Sequence, residues 1–477
     1  MSFASLRYFV FLAAVLVLLR LVRGSERQKV VLAVASCLFY AAWDYRYLAL
    51  LLLVSGIDYA CGAWIASSSD ARVRRFWLAV SIVSNLGILG YFKYYGFMAG
   101  NLRGLGFDIP FKDILLPAGI SFYTFKSMSY TIDVYWRHIT ATRHWRDYVT
   151  FVTFFPELIA GPIVRASAFL PQMSREIGPT SVRLRDGLSL FLIGLTKKVL
   201  VADHLAPVAD QVFANPAIFS TMSVWAGVLA YSFQIYCDFS GYSDMAIGTA
   251  KMIGYDLPEN FNMPYLSASV AEFWRRWHMT LSAWLRDYLY IPLGGNRRGG
   301  GRAQVNLFIT MLLGGLWHGA SWNFVLWGSL HGAALGLHRM WSSRGHRLPS
   351  IVSTPLTFAF VTLCWVPFRA VSTEGAIEIL RRLAGLESDG GRWMPEALLW
   401  CLALIVLGHA LGLAARKGNA AEWFSRFDAE VVEAPLAGTS VRLGARTFGG
   451  AFLVTFWVLG LFYFAAARSS PFIYFQF

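Results

Sequence analysis

Charge is scarce in this 477-residue chain: Asp, Glu, Lys and Arg together make up 15% of it, where a soluble domain carries about a quarter. A conventional water-soluble globule is thereby excluded. Cysteine is rare too. Cys37, Cys61, Cys237, Cys364 and Cys401 fall singly inside apolar runs, which excludes a disulfide framework and a CxxC metal site. The chain contains no HExxH zinc pair, no GxSxG nucleophile elbow and no GxxxxGK[ST] phosphate loop. It also lacks a recognisable internal repeat and the paired, interrupted helices of an inverted-repeat transporter. The first apolar run, Phe9 to Leu19, is followed by positive charge and by no small-residue cleavage site. It is expected to be a first membrane helix rather than a removed signal peptide.

What the chain does have is apolar length. Hydrophobic residues are 56% and aromatics 16%, the composition of a protein with two water interfaces at which amphipathic rings settle. The formal charge of +14 is distributed in short clusters between apolar runs: Arg20 to Lys29, Arg72 to Arg75, Arg137 to Arg146 and Arg297 to Arg302. That is the pattern of cytoplasmic loops, not the continuous basic face that binds nucleic acid. Apolar runs near residues 6–22, 30–43, 47–66, 76–97 and 114–136 alternate with these clusters so that an extracytoplasmic N-terminus satisfies the charge rule. Further runs follow at 188–212, 221–247, 304–317, 322–340, 351–368, 395–415 and 447–467. The expected fold is an all-α polytopic membrane protein of roughly 11–12 transmembrane helices.

Two regions break the pattern. After residue 150, Pro156, Pro162 and Pro171 with Glu157, Arg165 and Glu176 interrupt the apolar runs, so re-entrant or broken helices are expected. Between Glu272 and Asp287 the charges Glu272, Arg275, Arg276, Arg286 and Asp287 alternate with tryptophans, as in an amphipathic interfacial helix. On such a helix His278 would share a face with Trp274 and Ser282. The organisation expected is a membrane core over 1–415, a polar loop or surface helix over 416–446, and a last span with an aromatic tail over 447–477.

Two histidines lie in the most apolar surroundings, His278 in FWRRWHMTLSAWLRDYLYIPLGGNR and His318 in MLLGGLWHGASWNF. An imidazole at bilayer depth faces a bundle interior or a wet cavity, not lipid. Glycines of the small-xxx-small type, Gly315/Gly319, Gly328/Gly332 and Gly332/Gly336, account for close helix packing; they do not account for an imidazole among them. His278 could equally be a satisfied structural residue, and His331 and His338 could line one side of a helix. A zinc site has no compact ligand cluster to support it. Asp238 and Asp244, in an apolar stretch, are functional carboxylates or partners for Arg275 or Arg276.

The blocks FFPELIAGPIVR, YCDFSGYSDMAIG, NFNMPY, EFWRRWHMTLSAWLRDYLYIPLGGNR and NLFITMLLGGLWHGASWNFVLWGSLHG resemble those of the membrane-bound O-acyltransferases. Within that family the likeness is to the membrane subunits of bacterial alginate O-acetyltransferases, and it runs from the first helix to the aromatic tail. The resemblance implies a helical fold with re-entrant and interfacial helices around a central funnel or tunnel, the acyl donor entering from the cytoplasm and the acceptor reached from outside. It implies that His318 is catalytic and that His278 is the second polar member of the site.

The activity so implied is transfer of acetyl from cytoplasmic acetyl-CoA across the inner membrane for O-acetylation of an exported polysaccharide, alginate first and cellulose or peptidoglycan as alternatives. Such chemistry needs a base for the hydroxyl proton and stabilisation of an oxyanion. His318 suits the first task, and His278 would position the thioester or donate to the oxyanion. Arg275, Arg276, Arg297 and Arg298 would draw the phosphates of coenzyme A. No metal is expected. Relatives imply a periplasmic SGNH-type acetyltransferase or polysaccharide secretion proteins as partners, besides membrane lipids. The tail from Ser469 to Phe477 resembles the tyrosine-containing ending of these enzymes and suggests Tyr474 as a covalent acetyl relay at an extracytoplasmic C-terminus. A transporter or channel with a histidine proton relay, and a non-catalytic scaffold of a secretion complex, are the competing functions.

Overall fold

The computed structural model describes residues 3–175, 177–297, 299–387, 389–416, 429–434, 438–443, 448–466 and 470–473. The chain divides into two compact units, residues 1–191 with 243–258, and residues 192–242 with 259–477.

In the first unit α1 (Leu6–Leu21), α2 (Ser25–Ala41), α3 (Tyr45–Ser67) and α4 (Ala71–Leu89) coincide with the first four apolar runs. A π-turn over Gly90–Tyr94 carries α4 into α5 (Tyr95–Gly104), and α6 (Ile120–Trp136) follows. The carboxylates of Asp44 and Asp70 accept hydrogen bonds from the first-turn amides of α3 and α4, which satisfies donors that a helix start otherwise leaves open. At about 1.5 Å per residue the 23 residues of α3 reach about 35 Å. The proline-rich region is broken as expected, into α7 (Trp145–Thr153), a run of turns and the short α8 (Ala166–Phe169). Buried polar side chains inside this unit pair with one another. Asp58 accepts from Ser81 Oγ at 2.6 Å and Asn85 Nδ2 at 2.8 Å, and Lys126 pairs with Glu157 while donating to the Phe151 carbonyl at 2.6 Å.

The helix α9 (Ser181–Thr196) leads from the first unit into the second, where a π-turn over Lys197–Ala202 joins it to α10 (Asp203–Ala214). The 33-residue α11 (Thr221–Ile253) belongs to the second unit as far as Tyr242. Next come α12 (Val270–Arg276), α13 (Met279–Leu285), α14 (Gly299–His318), α15 (Trp322–Ser343), α16 (Ser350–Arg369), α17 (Thr373–Leu383), α18 (Glu396–Arg416) and α19 (Phe448–Tyr463).

Two expectations are corrected here. The stretch 270–290 is not one amphipathic helix: α12 stops at Arg276 and His278 has φ +41°, so His278 shares no helical face with Trp274 and Ser282. Within 416–446, read as a polar loop or surface helix, β1 (Ala429–Ala434) and β2 (Gly438–Leu443) pair antiparallel with Val431 opposite Val441. Val431, Val432 and Val441 are β-branched residues with a strand preference that the loop reading neglected.

Four described helical segments are long and apolar enough to cross a bilayer: Tyr45–Ser67, Ala71–Gly104, Ser350–Arg369 and Glu396–Ala414. Apolar side chains such as Val83, Ile351 and Val406 are 69%, 82% and 67% exposed, as side chains facing lipid are.

Candidate active site

The site lies wholly in the second unit and begins with a packing decision. The helices α14 and α15 approach backbone to backbone where Gly315 meets Gly328: a Cβ on Gly315 would stand 2.3 Å from the Phe324 carbonyl oxygen and 3.0 Å from the Gly328 Cα. Any larger residue would force the helices apart. The contact brings His318, the last residue of α14, against Trp327 of α15, with ring centroids 5.0 Å apart. Trp317 and Phe368 complete the surround at 4.9 and 5.3 Å. His318 is 4% exposed.

His278 is placed by a different device. Ser269 caps α12 by accepting from the Glu272 amide at 3.1 Å, and Glu272 reaches back to the Ala268 amide at 2.8 Å and across to Arg276 at 2.7 Å. The chain then turns through the left-handed His278, a conformation that needs support from its surroundings. Asn260 supplies it. Its carbonyl oxygen accepts the Met279 amide at 2.9 Å, and its side-chain oxygen takes Thr280 Oγ1 at 2.9 Å, the Thr280 amide at 3.3 Å and His278 Nδ1 at 3.0 Å. An atom that accepts from a backbone N–H is an oxygen, so Nδ1 of His278 is the donor and carries the ring proton. In the neutral ring Nε2 is then a lone-pair acceptor.

The two histidines share one indole, since Trp317 is 6.1 Å from the His278 ring and 4.9 Å from that of His318. A third histidine joins them. His331, fully buried, lies 4.8 Å from Trp327 and accepts from the Trp274 indole N–H at its Nδ1, 3.3 Å away, so its proton is on Nε2. His338, seven residues further along the same helix, lines a cavity. Among the described residues no three His, Cys, Asp or Glu side chains converge as a metal site would require.

That cavity, of about 630 Å³, has Trp274, Leu285, Met311 and Leu335 on its walls and Arg286, Tyr290, Asn296, His338 and Arg339 among its polar groups. Arg339 donates to Asn296 Oδ1 at 2.7 Å and Tyr290 Oη at 3.4 Å, neutral groups that leave its charge available to an anion. Neither His278 nor His318 lines it; Trp274 and Trp327, 5.7 Å apart, form a ring-to-ring path from its wall to His318. Arg275, Arg276 and Arg297 do not line it either: Arg275 and Arg297 are exposed and Arg276 is paired with Glu272. Arg298 lies outside the described residues.

Asp238 is corrected in its partner: it pairs with Lys198 at 2.8 Å, not with Arg275 or Arg276. The same ammonium is 2.8 Å from Asp203. On this cluster rests the C-terminal segment 470–473, whose Phe472 packs on Tyr242 and Phe239 at 4.5 and 5.9 Å. Phe239 stands edge-on to His278 at 4.7 Å. Tyr474 lies outside the described residues.

The sequence profile of the membrane-bound O-acyltransferase family matches residues 137–366, a span that holds all three histidines. The chain is 39% identical to the probable alginate O-acetylase AlgI of Pseudomonas putida over 470 residues, 95% of each chain. The chain belongs to the membrane-bound O-acyltransferase family. It is 44% identical to the protein of the same name from Pseudomonas aeruginosa, over 77% of this chain and 72% of that one. It is also 38% identical to the peptidoglycan O-acetyltransferase of Helicobacter pylori, over 75% and 74%. As a member of this family the chain is a membrane enzyme that transfers acyl groups to oxygen, which removes the channel and the scaffold from consideration.

Asn260, Lys198 and Arg339 were not singled out from the sequence, Arg286 was noted only as one charge of the 272–287 stretch, and His331 only as a residue that could line one side of a helix. Asn260 was present in the NFNMPY block and His331 four residues after Trp327, but only the fold sets the one under His278 and the other against Trp274.

Proposed function

We propose that this enzyme takes acetyl from cytoplasmic acetyl-CoA and delivers it across the inner membrane for O-acetylation of an exported polysaccharide, with alginate as the first acceptor to test. The observation that carries the reading is the pair His278 and His318, both packed against Trp317 and buried in the unit that holds the tail. The names of the relatives, alginate O-acetylase and peptidoglycan O-acetyltransferase, support acetyl as the group moved and a cell-surface polymer as its destination.

In this proposal His318 is the general base. It removes the phenolic proton of Tyr474 as the phenol oxygen bonds to the thioester carbonyl carbon; the C–S bond breaks, and the proton passes to the departing thiolate. The products are O-acetyl-tyrosine and free coenzyme A, with His318 neutral again. A nucleophile of a periplasmic SGNH-type acetyltransferase or secretion protein then takes the acetyl group, and Tyr474 recovers a proton. Because the proton of His278 is held at Nδ1 by Asn260, its Nε2 accepts rather than donates in the neutral ring. It therefore positions a donor or acceptor N–H or O–H, and contributes to oxyanion stabilisation only when protonated. Arg275, Arg297 and Arg298 supply positive potential toward the donor's phosphates, Arg276 and Arg286 are engaged by Glu272 and Asp287, and Arg339 holds the phosphates at the cavity.

The test is acetyl labelling of the purified full-length protein by radiolabelled acetyl-CoA, with Tyr474→Phe as the partner variant. This substitution keeps the ring and removes the nucleophile. A label on Tyr474 in the wild type that disappears in the variant, with loss of polymer acetylation, is the expected result. Normal polymer acetylation by Tyr474→Phe overturns the relay.

A further inference from the structure

The C-terminal segment is held by buried charge, an unusual way to fasten a terminus. Lys198, Asp203 and Asp238 are 6%, 2% and 2% exposed, and one ammonium serves two carboxylates at 2.8 Å each. Taken alone, the cluster has more negative than positive charge and more acceptor sites than donors, an expensive state away from water. The tail supplies the missing donors. Asp203 accepts the Ser470 hydroxyl at 2.7 Å and the Ser470 amide at 3.1 Å. Asp238 accepts the Ile473 amide at 2.7 Å. Lys198 donates to the Ser470 carbonyl at 2.8 Å and to its hydroxyl at 3.1 Å. The side chains of Phe472 and Ile473 are 6% and 1% exposed, with Phe472 against the Phe239 ring that also meets His278.

Each attachment is charge-assisted, the stronger class of hydrogen bond, and each uses tail backbone, Ser470 adding its hydroxyl. The register of the segment is therefore fixed by position along the chain. The next residue is Tyr474.

We infer that Lys198, Asp203 and Asp238 form a docking site for the C-terminal segment, and that they act as positioning residues which set the register of the tail for transfer to Tyr474. The purpose of the docking rests on the tyrosine relay proposed above; the docking itself does not. A segment held by three buried charged side chains and two backbone amides is aligned before the donor arrives, which is the geometric condition for an efficient intramolecular attack.

Docking is read by hydrogen exchange of the C-terminal peptide in the full-length protein in nanodiscs, and transfer by mass spectrometry of acetyl-Tyr474 after addition of acetyl-CoA. Lys198→Met removes the ammonium. Ser470→Pro removes the amide and hydroxyl donors from the tail side and leaves the Lys198 pairs in place, so it carries the test should Lys198→Met fail to fold. Protection of the α11 and α14 peptides marks folded protein. In either variant protection at 470–473 should fall by about tenfold or more, the loss of a charge-assisted hydrogen bond, and acetyl-Tyr474 should fall in parallel. Lys198→Arg should restore both, a rescue that a merely volume-filling lysine would not require.

Wild-type protection of the tail in folded Ser470→Pro overturns the docking site. Loss of protection in the variants with no acetyl-tyrosine even in the wild type upholds the docking site and defeats the relay.

Discussion

Replacing Gly315 by alanine adds one methyl group at the place where two helix backbones touch. The new carbon would lie 2.3 Å from the Phe324 carbonyl oxygen and 3.0 Å from the Gly328 Cα, where ordinary C···O contact needs about 3.3 Å. Backbone atoms cannot swing aside, so α14 and α15 must separate by about 1 Å, at a cost of about 1–3 kcal/mol for overpacking. His318 is three residues further along the same helix and its ring is seated on Trp327, the residue before Gly328. A displacement of about 1 Å at a reacting group lowers turnover by about 10²-fold. Gly336, on α15, is the control: a Cβ there meets no heavy atom within 4 Å, and alanine improves helix propensity by about 0.5–1 kcal/mol. With acetyl transfer from saturating labelled acetyl-CoA measured alongside thermal unfolding in detergent, Gly315→Ala should lose about 10²-fold in turnover and some thermal stability. Gly336→Ala should lose neither. Turnover within about twofold of wild type in Gly315→Ala would refute the dependence of the site on this helix contact.

Asn260→Ala takes away the acceptor that fixes the His278 proton at Nδ1; turnover should fall by about 10–100-fold, the range for loss of a group that orients a functional histidine, with the KM for acetyl-CoA little changed, and steady-state kinetics separates the two. Arg339→Glu places a negative charge in the cavity beside Asn296 and Tyr290. It should raise the KM for acetyl-CoA by about tenfold or more while kcat changes less, because the residue contributes binding rather than chemistry; an unchanged KM in correctly inserted protein places the donor elsewhere.

The helical membrane architecture was legible because apolar length and loop charge are one-dimensional signals: α1 to α4, α6 and α14 to α16 lie on the apolar runs that announced them. His278 and His318 stood out for the same reason, as polar residues in apolar surroundings. The conformation of His278 was not legible. Helical spacing set it between Trp274 and Ser282, whereas a helix break held by Asn260, 18 residues earlier, decides where its ring points. Lys198 was invisible for a related reason: its partners are spread over Asp203, Asp238 and a tail 272 residues away, and nothing local distinguishes a buried ammonium from one that snorkels. The cavity arginines show the same limit. Basic clusters drew notice to Arg275, Arg276, Arg297 and Arg298, while of the side chains that line the cavity Arg286 stands outside those clusters and Arg339 is isolated along the chain. The hairpin at 429–443 was obscured by the mixed charges of that stretch, although its valines were present.

The most direct measurement is acetyl transfer by full-length His318→Ala, purified, reconstituted in nanodiscs and shown by thermal unfolding to be folded, with radiolabelled acetyl-CoA as donor. Removal of the imidazole eliminates the base and leaves the shell of Trp317, Trp327 and Phe368 in place. The expected result is loss of at least about 10³-fold in acetyl transfer with the protein still folded, since the general base is absent from every turnover; wild-type turnover in folded His318→Ala would contradict a catalytic role for this histidine.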